Sequence, residues 1–228
     1  MLCLALAVAG CSLTDQTPVY RYRLTVEVDT PDGVKTGSSV IEVDTEVAGG
    51  YSIPTPGRVT NRVRGEAVTV DLGEGRVLFA LLRSEADIDW AGRVMYRLSS
   101  QYAGENALRD GYRNMLRHRP ERTVPRHFSR ADQVNKRSAY PMLVTFGDLD
   151  DPASVERVDP DDLAATFGEG VRLKRITVQM TDDPVTSGIE QRLGWLGNIR
   201  EMNLSNEDFP EDFPVGDFSG LFQKDTMR

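Results

Sequence analysis

Residues 20–28 alternate without a break. Tyr20, Tyr22, Leu24, Val26 and Val28 fall on one parity, and Arg21, Arg23, Thr25, Glu27 and Asp29 on the other. Successive side chains of a strand point to opposite faces, so the run fits a strand with one buried and one wet face. Thr30-Pro31-Asp32-Gly33 follows, with proline setting φ and glycine supplying the positive φ of a turn. Thr36–Val47 then returns as a second strand. Residues 19–47 therefore read as an antiparallel hairpin with a slightly long loop.

The chain continues beyond that hairpin. Gly49, Gly50, Pro54, Pro56 and Gly57 break it at 48–58. Val68, Val70 and Leu72 alternate, Gly73-Glu74-Gly75 turns, and Val77–Leu82 is apolar on both faces, the pattern of a central strand paired with 66–72. The period then changes. Met95, Leu98 and Tyr102, and then Leu108, Tyr112, Met115 and Leu116, predict two helical segments within 90–117 with a break near Gly104. Tyr140–Phe146 and 171–181 read as strands, the second with a parity slip that predicts a bulge near Lys174-Arg175. Asp151-Pro152 and Asp159-Pro160 place an acid before proline at a helix start, and Gly168 can close the second helix. Ser187 with Glu190 predicts a capping box for a short helix carrying Ile189, Leu193 and Leu196. Strands joined by turns come first and helices are interspersed later. The expected class is α+β, a mainly antiparallel sheet of about six strands with several short helices. With 228 residues and 39% hydrophobic content the chain sustains a core, which excludes global disorder.

The N-terminus speaks to location. Residues 1–10 are uncharged and apolar, end in small residues, and give way at Cys11 to the polar Ser12–Gln16. That is the apolar region and cleavage pattern of a secretory signal, short and without a basic leader, so the start is expected upstream. Val8-Ala9-Gly10-Cys11 resembles a bacterial lipobox. The resemblance implies cleavage before Cys11, lipidation of its sulfur, and, with Ser12 next, sorting to the periplasmic face of the outer membrane. The chain then divides into a signal remnant (1–10), a lipidated tether (11–18), one domain (19–204) and an acidic Phe-Pro tail (205–228). The only cysteines are Cys3 and Cys11, so the mature chain would keep no free thiol.

Charge is unevenly spread. Residues 109–137 hold nine Lys/Arg against three Asp/Glu, so the net charge of −8 conceals a local +6 against −14 elsewhere. Arg113, Arg117, Arg119, Arg122 and Arg126 are candidate contacts for an envelope protein, an anionic polymer or lipid headgroups. Glu207-Asp208-Phe209-Pro210 repeats as Glu211-Asp212-Phe213-Pro214, followed by Asp217-Phe218. Phe209, Phe213 and Phe218 either enter pockets of a partner or fold back on the domain, where the acids could meet the basic segment. An acidic chain with few aromatics among its arginines does not fit a nucleic-acid partner.

Tests for chemistry find little. There is no phosphate loop, zincin motif or G-x-S-x-G, and no cofactor motif emerges. His118 and His127 stand nine apart in a basic stretch and cannot share a helix face. Asp148 with Asp150-Asp151, Asp159 with Asp161-Asp162, and Asp182-Asp183 supply oxygen donors, but without the glycine of a calcium loop they read as caps and turns rather than metal sites. The blocks Tyr20–Val28, Arg175–Val178 and Thr181–Thr186 resemble segments of uncharacterised bacterial hypothetical proteins, a likeness that implies no activity. The expectation is a lipid-anchored envelope protein acting as a binding or accessory module. A periplasmic hydrolase and a purely structural component are the alternatives.

Overall fold

A computed structural model describes residues 14–16, 18–48, 58–99, 107–117, 119–199, 201–202, 204–210, 213 and 218–225. The signal remnant, Val8–Cys11, the break at 49–57, Gly104 and His118 lie outside the described residues. The chain enters as β1 (Thr14–Gln16) and continues through β2 (Tyr20–Thr30) and β3 (Gly33–Ala48). β2 and β3 pair over their whole length, from Tyr20↔Val43 to Thr30↔Gly33. Only Pro31 and Asp32 form the turn, so the hairpin is tighter than expected. β1 pairs with the far end of β3, Thr14↔Ala48 to Gln16↔Glu46. Part of the expected tether is thus built into the sheet.

β4 (Val59–Glu66), β5 (Val68–Gly73) and β6 (Arg76–Ala80) follow, then α1 (Trp90–Arg97), α2 (Ala107–Arg117), β7 (Arg122–Thr123) and α3 (Arg130–Val134). β8 (Leu143–Phe146), β9 (Val155–Val158), α4 (Ala164–Phe167), β10 (Arg172–Met180), α5 (Phe218–Phe222) and β11 (Gln223–Asp225) complete the described strands and α-helices, with short 3-10 segments between them. They form two antiparallel sheets. The larger runs β11-β4-β3-β2-β10-β7 with β1 also beside β3, and the smaller runs β5-β6-β8-β9. The class is α+β with a mainly antiparallel sheet. The slip in β10 lies where expected, with Leu173 opposite Val28 and Arg175 opposite Glu27.

The smaller sheet explains the doubly apolar run. Leu78, Ala80 and Leu82 face the core shared with Tyr22, Leu24, Val26 and α1. Val77, Phe79 and Leu81 face a second core made with Leu193, Trp195, Phe209, Phe213, Phe218 and Phe222. The C-terminal segment therefore forms a third layer over the small sheet. Its backbone is stitched in as well: Ala67 N–H donates to the Phe222 carbonyl at 2.7 Å and Leu82 N–H to the Leu221 carbonyl at 3.0 Å. Among the described residues from 205 onward, Phe209, Phe213, Phe218, Leu221 and Phe222 belong to the folded body.

The outer face of the large sheet carries ion pairs across strands. Glu27 meets Arg175 at 2.6 Å and Lys174 at 3.2 Å, Glu42 meets Arg64 at 2.8 Å, and Arg62 meets Glu46 at 3.2 Å. These cross-strand pairs explain why β4, with its polar outward residues, carries no clear hydrophobic signature.

Two helix starts differ from expectation. Pro160 precedes a turn, and the α4 N-cap is Leu163. The short 3-10 segment at Ile189–Gln191 starts from Gly188 with φ of 118°, not from a Ser187 capping box. The cap comes from across the fold. Buried Glu66 accepts the N–H groups of Gly188 at 2.8 Å and Ile189 at 2.9 Å. Asp151, by contrast, caps Pro152–Ser154 as its sequence predicts.

Burial raises the Glu66 pKa above the ordinary carboxylate value, although the two N–H groups oppose the rise. The folded state thus holds this proton more tightly than the unfolded chain. The stability Glu66 contributes therefore declines as pH rises from the ordinary carboxylate pKa through the raised one. Urea unfolding between about pH 4 and 7 is expected to show the native chain losing stability relative to Glu66→Gln as pH rises. Parallel profiles would show that Glu66 does not titrate differently on folding.

Candidate ligand-binding pocket

α1 is tied to the large sheet and to the segments beside it by its first residues. Tyr22 Oη donates to the Ala91 carbonyl at 2.7 Å, Trp90 Nε1 to the Ala139 carbonyl at 2.9 Å, and Ala91 N–H to the Leu82 carbonyl at 3.2 Å. Two glycines allow the close approaches. A Cβ on Gly92 would lie 2.6 Å from Asn61 Cβ on β4, and one on Gly111 of α2 would lie 2.7 Å from Tyr96 Cε2 on α1. Tyr96 and Tyr112 consequently stack, with ring centroids 4.6 Å apart. Tyr112 hydrogen-bonds Thr45, and burial pushes its pKa up to about 12, so it remains a neutral phenol.

A cavity of about 470 Å³ opens between α1, α2 and the start of α3, lined by Val59, Arg93, Tyr96, Arg97, Tyr112, Phe128 and Ser129. That volume suits a small ligand. The Arg97 guanidinium lies 4.6 Å from the Phe128 ring centroid and meets Asp132 at 3.4 Å. Arg93 pairs with Asp87 at 3.0 Å and Asp89 at 2.9 Å. Ser129 caps α3, accepting from Asp132 N–H at 3.1 Å. A guanidinium has five donors. Arg97, with one long ion pair among the described residues, keeps donors for an incoming anion while Phe128 covers its face. The pocket can therefore hold an anionic group attached to an aromatic or apolar body.

The arginines read from the sequence separate into two sets. Arg113 and Arg117 lie one turn apart on α2, exposed, and Arg119 is exposed with Asp182 at 3.2 Å. Arg122 instead donates through Nη1 to the Leu98 carbonyl just beyond α1. Arg126 grips Asp161 at 2.8 Å and lies 5.5 Å from the Tyr140 ring centroid. These two are occupied within the fold. Phe209, Phe213 and Phe218 are buried against one another, with Phe218 at 4.8 Å from Phe209 and 5.7 Å from Phe213. They are not available to a partner. Among the described residues the arginines of the basic segment find their acids at Asp110, Asp161 and Asp182, and not in the tail.

The acidic clusters hold their own turns. Asp148 accepts from Asp150 N–H, Asp159 from Asp161 N–H and Asp162 from Ala165 N–H. No group of three or more metal-ligating side chains converges among the described residues. His127 Nδ1 lies 2.8 Å from the Arg137 carbonyl, so it carries the proton and donates. Sequence reading passed over Val59, Arg93, Tyr96 and Arg97 as site residues. The available signal was the i, i+4 spacing of Arg93 and Arg97 beside Tyr96, which sets two cations and an aromatic on neighbouring parts of one helix. No protein-family model, no curated protein and no solved structure matches the chain.

Proposed function

We propose that the chain is a lipid-anchored binding module of the bacterial cell envelope, carried through Cys11, whose pocket between α1 and α2 takes an anionic ligand with an aromatic or apolar body. The observation that carries the ligand class is Arg97 stacked on Phe128 at the rim of an aromatic-lined cavity. The lipobox-like Val8–Cys11 carries the location, and with it the periplasmic face of the outer membrane.

Titration with 8-anilinonaphthalene-1-sulfonate, an anion on an aromatic body, tests the pocket. Arg97→Gln is expected to weaken binding about tenfold, the effect of losing a charge-assisted hydrogen bond. Phe128→Ala should weaken it too, while Arg172→Gln on the exposed edge of β10 should not. Equal affinity in all four proteins would remove the pocket from the account. Mass spectrometry of membrane-extracted protein is expected to find acylated Cys11, and an unmodified mature chain would overturn the anchor.

A further inference from the structure

The register of β1 sets which end of the domain an anchor at Cys11 would hold. Thr14 pairs with Ala48 at the end of β3, and three residues reach at most about 11 Å. At that same end Pro18 and Val19 border a cleft with Leu116, Arg119 and Asp182. The C-terminal turn of α2 therefore lies beside the point where the chain joins the sheet.

This end is basic and partly apolar. Arg113, Arg117 and Arg119 are exposed there, and Val19 is 53% exposed. Arg117 makes no ion pair among the described residues. Arg113 reaches Asp110 only at 3.8 Å, and the Arg119–Asp182 pair leaves both side chains largely exposed, at 62% and 88%. Pairs so solvated leave their cations free to exchange partners. The opposite end carries the Pro31-Asp32 turn with exposed Asp32, and exposed Glu169 in the loop whose Gly170 lies against Pro31. Lys35 and Arg172 stand at that end too, so it is mixed in charge.

We infer that the basic end docks on anionic lipid headgroups, with Arg113, Arg117 and Arg119 meeting lipid phosphates and Val19 entering the interface. The inference rests on the anchor reading and adds an orientation to it. A lipid chain and a basic patch together hold a protein on a membrane better than either alone. The pocket follows the same orientation. Val59 lines it and pairs with Val47, next to Glu46, the partner of Gln16. The pocket therefore opens near the bilayer.

The full chain carrying Cys11→Ser separates docking from anchoring. Its cosedimentation is measured with phosphatidylethanolamine vesicles containing phosphatidylglycerol, and with phosphatidylcholine vesicles. The anionic vesicles are expected to bind it, more weakly as salt rises. Arg113→Gln with Arg117→Gln should lower that affinity about fivefold for each charge removed. Lys35→Gln with Arg172→Gln, the same charge change at the far end, should leave it unaltered. Equal binding to both vesicle types, no binding, or equal loss in the two double variants would overturn the docking surface. Thermal melts of both variants check that each is folded, and the salt dependence of the parent chain tests the surface without them. Acylated Cys11 without vesicle binding would leave the anchor and remove the docking. Vesicle binding without acylation would do the reverse.

Discussion

Phe222→Ala is expected to destabilise the chain by about 4 kcal/mol, the cost of emptying a large aromatic site in a closed core. The ring is fully buried. Its centroid lies 5.5 Å from Phe218, 5.7 Å from both Phe146 and Trp195, and 6.0 Å from Phe79. These rings come from β6, β8, the 3-10 segment at 194–197 and α5, so no single neighbour can collapse into the void. Urea unfolding should show a lower midpoint with little change in slope. A loss below about 1 kcal/mol would mean that the C-terminal layer decorates the small sheet rather than covering it. By the same geometry, a chain lacking residues 205–228 would lose part of its core and not only a surface. Such a chain would expose Val77, Phe79 and Leu81, which the C-terminal aromatics now cover.

Gly37→Ala should cost about 3 kcal/mol by overpacking. A Cβ at Gly37 on β3 would lie 2.1 Å from the Thr69 carbonyl oxygen and 2.8 Å from its carbonyl carbon on β5. These are backbone atoms and cannot swing aside, so the two sheets must separate at their contact. Gly147→Ala is the comparison, since the nearest atom to a Cβ there is Ser154 Cβ at 3.7 Å, an ordinary contact. It should change stability by less than about 1 kcal/mol. Similar losses at both positions would show that the sheets have room to part at Gly37.

The hairpin, the two helices of 90–117, the doubly apolar Val77–Leu82 and the bulge in β10 were legible because each is written in the period of its own side chains. β4 and β9 were not. Arg62 and Arg64 satisfy their charges across strands, and Glu156 and Arg157 sit on an exposed edge, so neither strand needs a hydrophobic alternation. Glu66 was equally hidden as a cap, because the N–H groups it receives lie 122 and 123 residues away.

By itself the sequence determined the antiparallel α+β class, the alternation that turns Tyr20, Tyr22, Leu24, Val26 and Val28 inward, and the concentration of arginines in 109–137. Those properties follow from local sterics and composition. Only the tertiary structure decided what the C-terminal phenylalanines do, which arginines remain exposed, and where the pocket lies. Phe209, Phe213 and Phe218 look the same in sequence whether they serve a partner or the parent core. Their burial depends on the second face of the small sheet, which forms from residues far away in the chain. Arg122 and Arg126 are likewise indistinguishable from Arg117 until the Leu98 carbonyl and Asp161 are brought to them. The pocket exists because Gly111 lets Tyr96 approach Tyr112, a contact between two helices that no periodicity records.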